Sequence, residues 1–248
     1  MERCGRLDRG DGIELAWALL PGREPTVVFL PGFGSDMTGA KASALRDWCR
    51  SEGRALLRFD YSGHGASGGA FTDGTIGQWA AEARHAIGAL TEGKLLLVGS
   101  SMGGWIALLI ALAMPQRLAG LVGVAAAVDF TEALMWEAMS PAERERLLGE
   151  GVLLVPNQYG DPTPITRALI EDGRRHLLLG GEIALDCPVR LLHGQADPDV
   201  PWRMALRLAE ALRSPDVQVT LIKDGDHRLS RAGDLDLLIR TIGALLAE

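Results

Sequence analysis

The sequence predicts an α/β protein, with a mostly parallel central sheet flanked by helices. Three observations carry that expectation. The apolar run Lys94–Val98 passes through Gly99-Ser100-Ser101-Met102-Gly103 directly into the helix-like stretch Gly104–Ala113. β-like runs bounded by turn residues recur along the chain, and the later ones alternate with segments of helical period. Near-continuous apolar strands such as Leu95–Val98 suit a sheet covered by helices on both faces, which is the habit of parallel sheets.

Taken in order, the strand runs are Ile13–Leu20, Thr26–Leu30, Arg54–Phe59, Lys94–Val98, Ala119–Ala125, Pro188–Leu192 and Val217–Ile222. The first two read as a hairpin and the rest as βαβ units. Thr75–Leu90 places Ile76, Trp79, Ala80, Ala83, Ile87 and Leu90 on one helical face, and Trp202–Leu212 and Leu235–Leu246 repeat that period. Residues 129–187 break the alternation, with helix signals and no strong strand. Ser140-Pro141-Ala142-Glu143 has the spacing of a capping box with Pro at the first helical position, and Thr163-Pro164 starts another helix that ends near Gly173. This segment is expected to form a small helical cap between strands six and seven of a single domain, 1–248, although among the runs above it falls between the fifth, Ala119–Ala125, and the sixth, Pro188–Leu192. The plainer alternative is a crossover helix with decorated loops. Ligand sites of such sheets lie at the carboxyl ends of the strands.

Composition narrows the classes. In 248 residues, 47% hydrophobic and 23% charged, no stretch is long and biased enough to be a linker or a disordered tail. A formal net charge of −7 with scattered Lys and Arg leaves no footprint for a phosphate backbone, so no nucleic-acid partner is expected. Trp105–Met114 and Leu118–Val128 fall short of the ~20 apolar residues of a membrane span. The first ten residues have no apolar secretory core and are too acidic for a transit peptide, which points to the cytoplasm. Cys4, Cys49 and Cys187 are widely spaced, without metal-ligand pattern, and read as free thiols.

The chemistry centres on G-x-S-x-G at a strand-to-helix turn, which lifts Ser101 above the sheet edge as a candidate nucleophile. A serine hydroxyl needs a base to take its proton, and the base needs an acid to hold its tautomer. Asp197, in the turn after Leu191-Leu192-His193-Gly194, is the candidate acid, and His227, in the turn after the last strand, the candidate base. Asp199, Asp224 and Asp226 compete for the acid role. His193 and His64 read as architectural, and His85 and His176 fall on helices. An oxyanion hole needs backbone N–H donors. Met102 follows the nucleophile, and Phe33 lies in the turn Pro31-Gly32-Phe33-Gly34, where Pro31 has no N–H. Met135, Trp136 and Met139 of the cap, with Trp105 and Trp202 of the body, are candidate substrate-binding residues.

The blocks Phe29-Leu30-Pro31-Gly32-Phe33, Phe59-Asp60-Tyr61-Ser62-Gly63-His64-Gly65-Ala66-Ser67, Gly99-Ser100-Ser101-Met102-Gly103-Gly104-Trp105, Val200-Pro201-Trp202 and Asp226-His227-Arg228 resemble the α/β-hydrolase superfamily along nearly the whole chain. More narrowly, they resemble the palmitoyl-protein thioesterase / mycophenolic acid acyl-glucuronide esterase group. Pro31-Gly32 stands where many such hydrolases carry His-Gly. The resemblance implies hydrolysis of acyl esters or thioesters, on small-molecule or acyl-protein substrates, by Ser101, Asp197 and His227 without metal or cofactor. Two other readings stay open: an amidase or peptidase on the same residues, and a slow-turnover ligand-binding receptor, which would be labelled at Ser101 without turning substrate over.

Overall fold

The computed structural model describes residues 1–157 and 160–247. An eight-stranded sheet runs in the order β1-β2-β4-β3-β5-β6-β9-β10, with β1 Arg3–Asp8, β2 Glu14–Leu20, β3 Arg23–Leu30, β4 Arg54–Phe59, β5 Leu95–Ser100, β6 Leu118–Val124, β9 Val189–Gly194 and β10 Val217–Ile222. Only β2 runs against its neighbours, β1 and β4; the other adjacent pairs are parallel.

The period-2 alternation of strand side chains divides the core into two layers. Leu95 and Leu97 of β5, Val28 and Leu30 of β3, and Leu57 and Phe59 of β4 face α2 (Ile76–Leu90), α3 (Met102–Ala113) and α6 (Arg203–Ala211). Leu96 and Val98, Val27 and Phe29, and Leu56 face α1 (Ala40–Ser51) and α7 (Ala232–Leu245). Thr75 caps α2, its hydroxyl accepting from the Gln78 N–H at 3.3 Å.

Three sequence expectations change. The hairpin of the first two runs does not form, because β4 lies between β2 and β3. Val27–Leu30 is buried on both faces and takes parallel neighbours on both sides, β4 and β5, while β2 pairs instead with β1. Strand β1 and helix α1 are additional to the elements expected from the sequence. β1 is an exposed edge strand of mixed polarity, RCGRLD, with no alternation to betray it.

The third change concerns residues 129–187, which do lie between the sixth and seventh strands of the main sheet but are not wholly helical. They hold a π-helical turn, Thr131–Trp136, then α4 (Pro141–Glu150), an antiparallel hairpin of β7 (Val152–Asn157) and β8 (Gly160–Thr166), and α5 (Arg167–Gly173). The capping box of α4 is present: Ser140 N–H donates to Glu143 Oε2 at 2.8 Å and Glu143 N–H to Ser140 Oγ at 3.3 Å. Thr163-Pro164 lies in β8, opposite Val155 and Leu154, and the helix starts only after Thr166, whose hydroxyl accepts from Leu169 N–H at 3.0 Å. Pro is admissible there because each strand of a two-stranded sheet has a free edge. Met139, Leu147, Leu153, Ile165 and Ile170 form a small core of their own in this segment. Among the described residues, no helix is long and apolar enough to cross a membrane.

Candidate active site

The turn from β5 into α3 is built by glycines that nothing larger could replace. A Cβ on Gly99 would lie 2.3 Å from Gly103 O, and one on Gly103 would lie 2.0 Å from Leu30 O. Between them Ser101 adopts φ 53°, ψ −121°, a conformation that costs on the order of 1–3 kcal/mol in an L-residue and persists only where its surroundings fix it. They do so here. Ser101 N–H donates to Val124 O at 2.9 Å, and its carbonyl accepts from Gly104 N–H at 2.8 Å and Ala127 N–H at 3.1 Å.

Asp197 and His227 arrive on two turns that are bonded to each other. Gln195 N–H donates to Ile222 O at 2.8 Å and Ala196 N–H to Gly225 O at 3.0 Å, and a Cβ on Gly194 would strike Gly225 O at 2.1 Å. His227 Nε2 then lies 3.0 Å from Ser101 Oγ, and Nδ1 lies 2.9 Å from Asp197 Oδ2. The other Asp197 oxygen accepts from Asp199 N–H and Val200 N–H, each at 2.9 Å. Burial raises the Asp197 pKa, but hydrogen bonds from His193, His227 and Val200 N–H outweigh it and hold the carboxyl well below the usual carboxylate range. His227 Nδ1–H therefore faces an ionised acceptor, and Nε2 is left to accept the serine proton.

The competing aspartates are placed elsewhere. Asp224 pairs with Arg231 at 2.7 Å on the surface, Asp226 accepts from Leu229 N–H at 2.9 Å within its own turn, and Asp199 is exposed. Asp197, Asp199 and His227 offer ligand atoms within 4.8 Å of one another, but His227 directs both ring nitrogens at Asp197 and Ser101.

After β3, the turn at Gly32 presses on the serine: a Cβ there would stand 3.3 Å from Ser101 Cβ. Ser35 N–H donates back to Gly32 O at 3.0 Å, and Gly34 takes a left-handed φ of +67°. The N–H groups of Phe33 and Met102 have no protein acceptor among the described residues, which leaves both open to a ligand oxygen.

Ser101 and His227 line a cleft of about 1160 Å³. Phe33, Phe130, Leu134, Met135, Met139 and Ile165 give it an apolar wall; Asp36, Lys41, Asp199, Arg228 and Ser230 give it a polar one. Three of the five predicted substrate-binding side chains do not line it. Trp105 is fully buried in the main core, where its indole N–H donates to His176 O at 3.1 Å and its ring meets Phe130 edge-on. Trp136 turns away and is covered by the guanidinium groups of Arg144 and Arg174, 5.1 and 4.4 Å from its ring. Trp202 stands before α6 beneath Arg203. Met135 and Met139 line the cleft.

Comparison with known proteins adds descent to this geometry. Residues 22–158 match the family described as Serine aminopeptidase, S33. The mouse palmitoyl-protein thioesterase ABHD10, mitochondrial, is 38% identical over 97% of this chain and 81% of its own length; the human protein is 38% identical over 97% and 79%. The solved structure of the mouse α/β hydrolase domain-containing protein 10 superposes with a TM-score of 0.92 at 37% identity, covering 99% of this chain and 98% of that one. A crystal structure from Agrobacterium vitis S4 reaches 0.93 at 42% identity over the same shares. The chain belongs to the ABHD10 family of α/β hydrolases.

The cytoplasmic location expected from the amino-terminal composition is overturned by these ABHD10 relatives, which are named as mitochondrial proteins. Two residues brace the site of this ABHD10-family chain: Lys41, for which the sequence offers no signal, and His193, expected from the sequence to be architectural. Lys41, at the start of α1, donates to Arg228 O and, at 3.4 Å, to Ser230 Oγ, and so holds the segment that follows His227; burial pushes its ammonium down to about 8. His193 Nε2 lies 3.0 Å from Val200 O and 3.3 Å from Asp197 Oδ2, behind the carboxylate. The Lys41 contacts join residues 187 and 189 apart and leave no signal in the sequence, whereas His193 and Asp197 lie four residues apart at the end of β9.

Proposed function

We propose that the chain hydrolyses acyl thioesters and carboxylic esters through an acyl-enzyme on Ser101. The observation that carries this reading is the continuous hydrogen-bonded path from Ser101 Oγ through His227 to Asp197 at an apolar-walled cleft. The palmitoyl-protein thioesterase relatives support an acyl substrate. His227 Nε2 takes the Ser101 proton as Oγ attacks the acyl carbonyl, and Asp197 holds Nδ1–H and stabilises the imidazolium. Phe33 and Met102 N–H groups receive the oxyanion. As the C–O or C–S bond breaks, His227 returns its proton to the departing alcohol or thiol. Water, deprotonated in turn by Nε2, then releases the carboxylic acid and regenerates the serine. The apolar wall, with the adaptable side chains of Met135 and Met139, takes the acyl chain, and residues 129–187 act as the cap that shapes it.

Labelling by a fluorophosphonate and turnover of an S-acyl cysteine peptide test this in the parent and in Ser101→Ala. The parent should label at Ser101, and the variant should lose on the order of 10⁴–10⁶ in kcat while staying folded. Substantial turnover by the folded variant would overturn the assignment. Labelling without turnover would move it to a receptor, and faster cleavage of the amide than of the matched ester would move it to an amidase.

A further inference from the structure

His64 stands on the turn after β4, its ring buried at the wall of the cleft. The glycines beside it set that position. Gly63 has φ +72°, and a Cβ there would lie 2.5 Å from Phe71 Cα; Gly65 has φ +48°, and a Cβ there would lie 2.2 Å from Asp60 Oδ2. Such a turn closes tightly and drives the imidazole inward, between Phe71 and Trp79, each with its ring centre 5.1 Å away.

Both ring nitrogens have backbone partners, and the partners dictate the tautomer. Ser62 O, 3.1 Å from Nδ1, can only accept, so Nδ1 carries the proton. Gly34 N–H, 3.1 Å from Nε2, can only donate, so Nε2 is bare. Burial lowers the His64 pKa against the opposing effects of Ser62 O and the Glu82 charge, which favours the neutral ring this pattern needs. Ser62 is itself pinned: its N–H donates to buried Glu82 at 2.9 Å, its carbonyl also accepts from Trp79 Nε1 at 3.2 Å, and Arg9 pairs with Glu82 at 2.7 Å. The histidine is thus anchored on the fold body while its free lone pair holds the turn that contains Phe33.

We propose that His64 is a positioning residue that clamps the oxyanion turn through Gly34 and so aims the Phe33 N–H at the reacting carbonyl. The inference rests on the hydrolase reading above. Glycines flank Phe33 on both sides, so the turn has little stiffness of its own, and an oxyanion donor displaced by a fraction of an ångström loses most of its effect.

His64→Phe keeps an aromatic ring among Phe71 and Trp79 but offers Gly34 no acceptor; His64→Gln offers an amide oxygen. With an S-acyl peptide, folded His64→Phe should lose about 10- to 100-fold in kcat with KM changed less than about threefold, a fraction of the loss from deleting an oxyanion donor outright. Phosphonylation of Ser101 should slow in parallel, and His64→Gln should recover most of both rates. Independently of activity, the ¹⁵N spectrum of the parent should show His64 protonated at Nδ1 and bare at Nε2. Parental kcat in folded His64→Phe, no recovery in His64→Gln, or an Nε2-protonated tautomer would each overturn the clamp. Failure of the hydrolase reading looks different, since the parent itself would then show no turnover or Ser101→Ala would keep it.

Discussion

The carboxyl edge of the main sheet and the segment 129–187 face each other across one cleft, yet they are made in opposite ways. The sheet edge holds its groups through backbone geometry: glycines that exclude Cβ atoms, a left-handed serine, and two turns bonded to one another. The facing segment holds together through side-chain packing around Met139, Leu147, Leu153, Ile165 and Ile170, with Phe33 and Met135 bridging it to the main core. Rigid backbone suits groups that must meet within hydrogen-bonding distance, whereas packed apolar side chains can vary in shape without losing contact.

Breaking the sheet edge should be catastrophic for chemistry. Asp197→Asn would leave His227 Nδ1 facing an amide that favours the wrong tautomer, with an expected kcat loss near 10⁴, as the same change gives in the serine proteases. Asp199→Asn, Asp224→Asn and Asp226→Asn should each cost far less, and a larger loss at any of them would reassign the acid. Stability supplies a second measurement. Because the Asp197 carboxyl sits below its ordinary range when folded, its contribution is present above the unfolded value near 3.9 and is lost as pH falls through the folded value. The stability gap between parent and Asp197→Asn, followed by denaturant melts, should therefore narrow toward acid pH.

Changing the opposite wall should alter selection instead. Each acyl CH₂ buried there is worth at most about 0.8 kcal/mol, or roughly fourfold in kcat/KM. Met135→Ala and Met139→Ala should lower the ratio of palmitate to butyrate p-nitrophenyl ester turnover several-fold, and Trp136→Ala, whose ring lies outside the cleft, should leave it near parental. An unchanged ratio in both methionine variants would remove acyl selection from this segment. The smallest effect belongs to its outer face: Leu154, 64% exposed on the hairpin, should tolerate Ala within about 0.5 kcal/mol by thermal melt.

The same contrast explains what could be read in advance. Gly99-Ser100-Ser101-Met102-Gly103 announced its turn because the conformation depends on atoms within five residues, and Leu95–Val98 announced a doubly covered strand because both of its faces are apolar. Val152–Asn157 and Gly160–Thr166 did not announce that they pair. Their prolines and threonines suit a helix start as well as a strand edge, and Thr163 and Thr166 offer the same capping hydroxyl. Only the burial of Leu153 and Ile165 in one small core selects the paired strands. The tryptophans misled for a related reason: an indole is large enough for a pocket, but Trp105 found a buried carbonyl and Trp136 two guanidinium groups.

By itself, then, the sequence determined the alternation of strands and helices, the elbow at Ser101 and the candidacy of Asp197 and His227, because each follows from local period, glycine placement or position in a turn. Tertiary structure alone decided that β4 separates β2 from β3, that Val152–Asn157 and Gly160–Thr166 pair as strands, and that Lys41 meets Arg228 and His64 meets Gly34. Those outcomes depend on which distant surfaces meet. A single hydrogen bond such as Gly34 N–H to His64 Nε2, between residues 30 apart, leaves no periodicity in the chain from which it could be read.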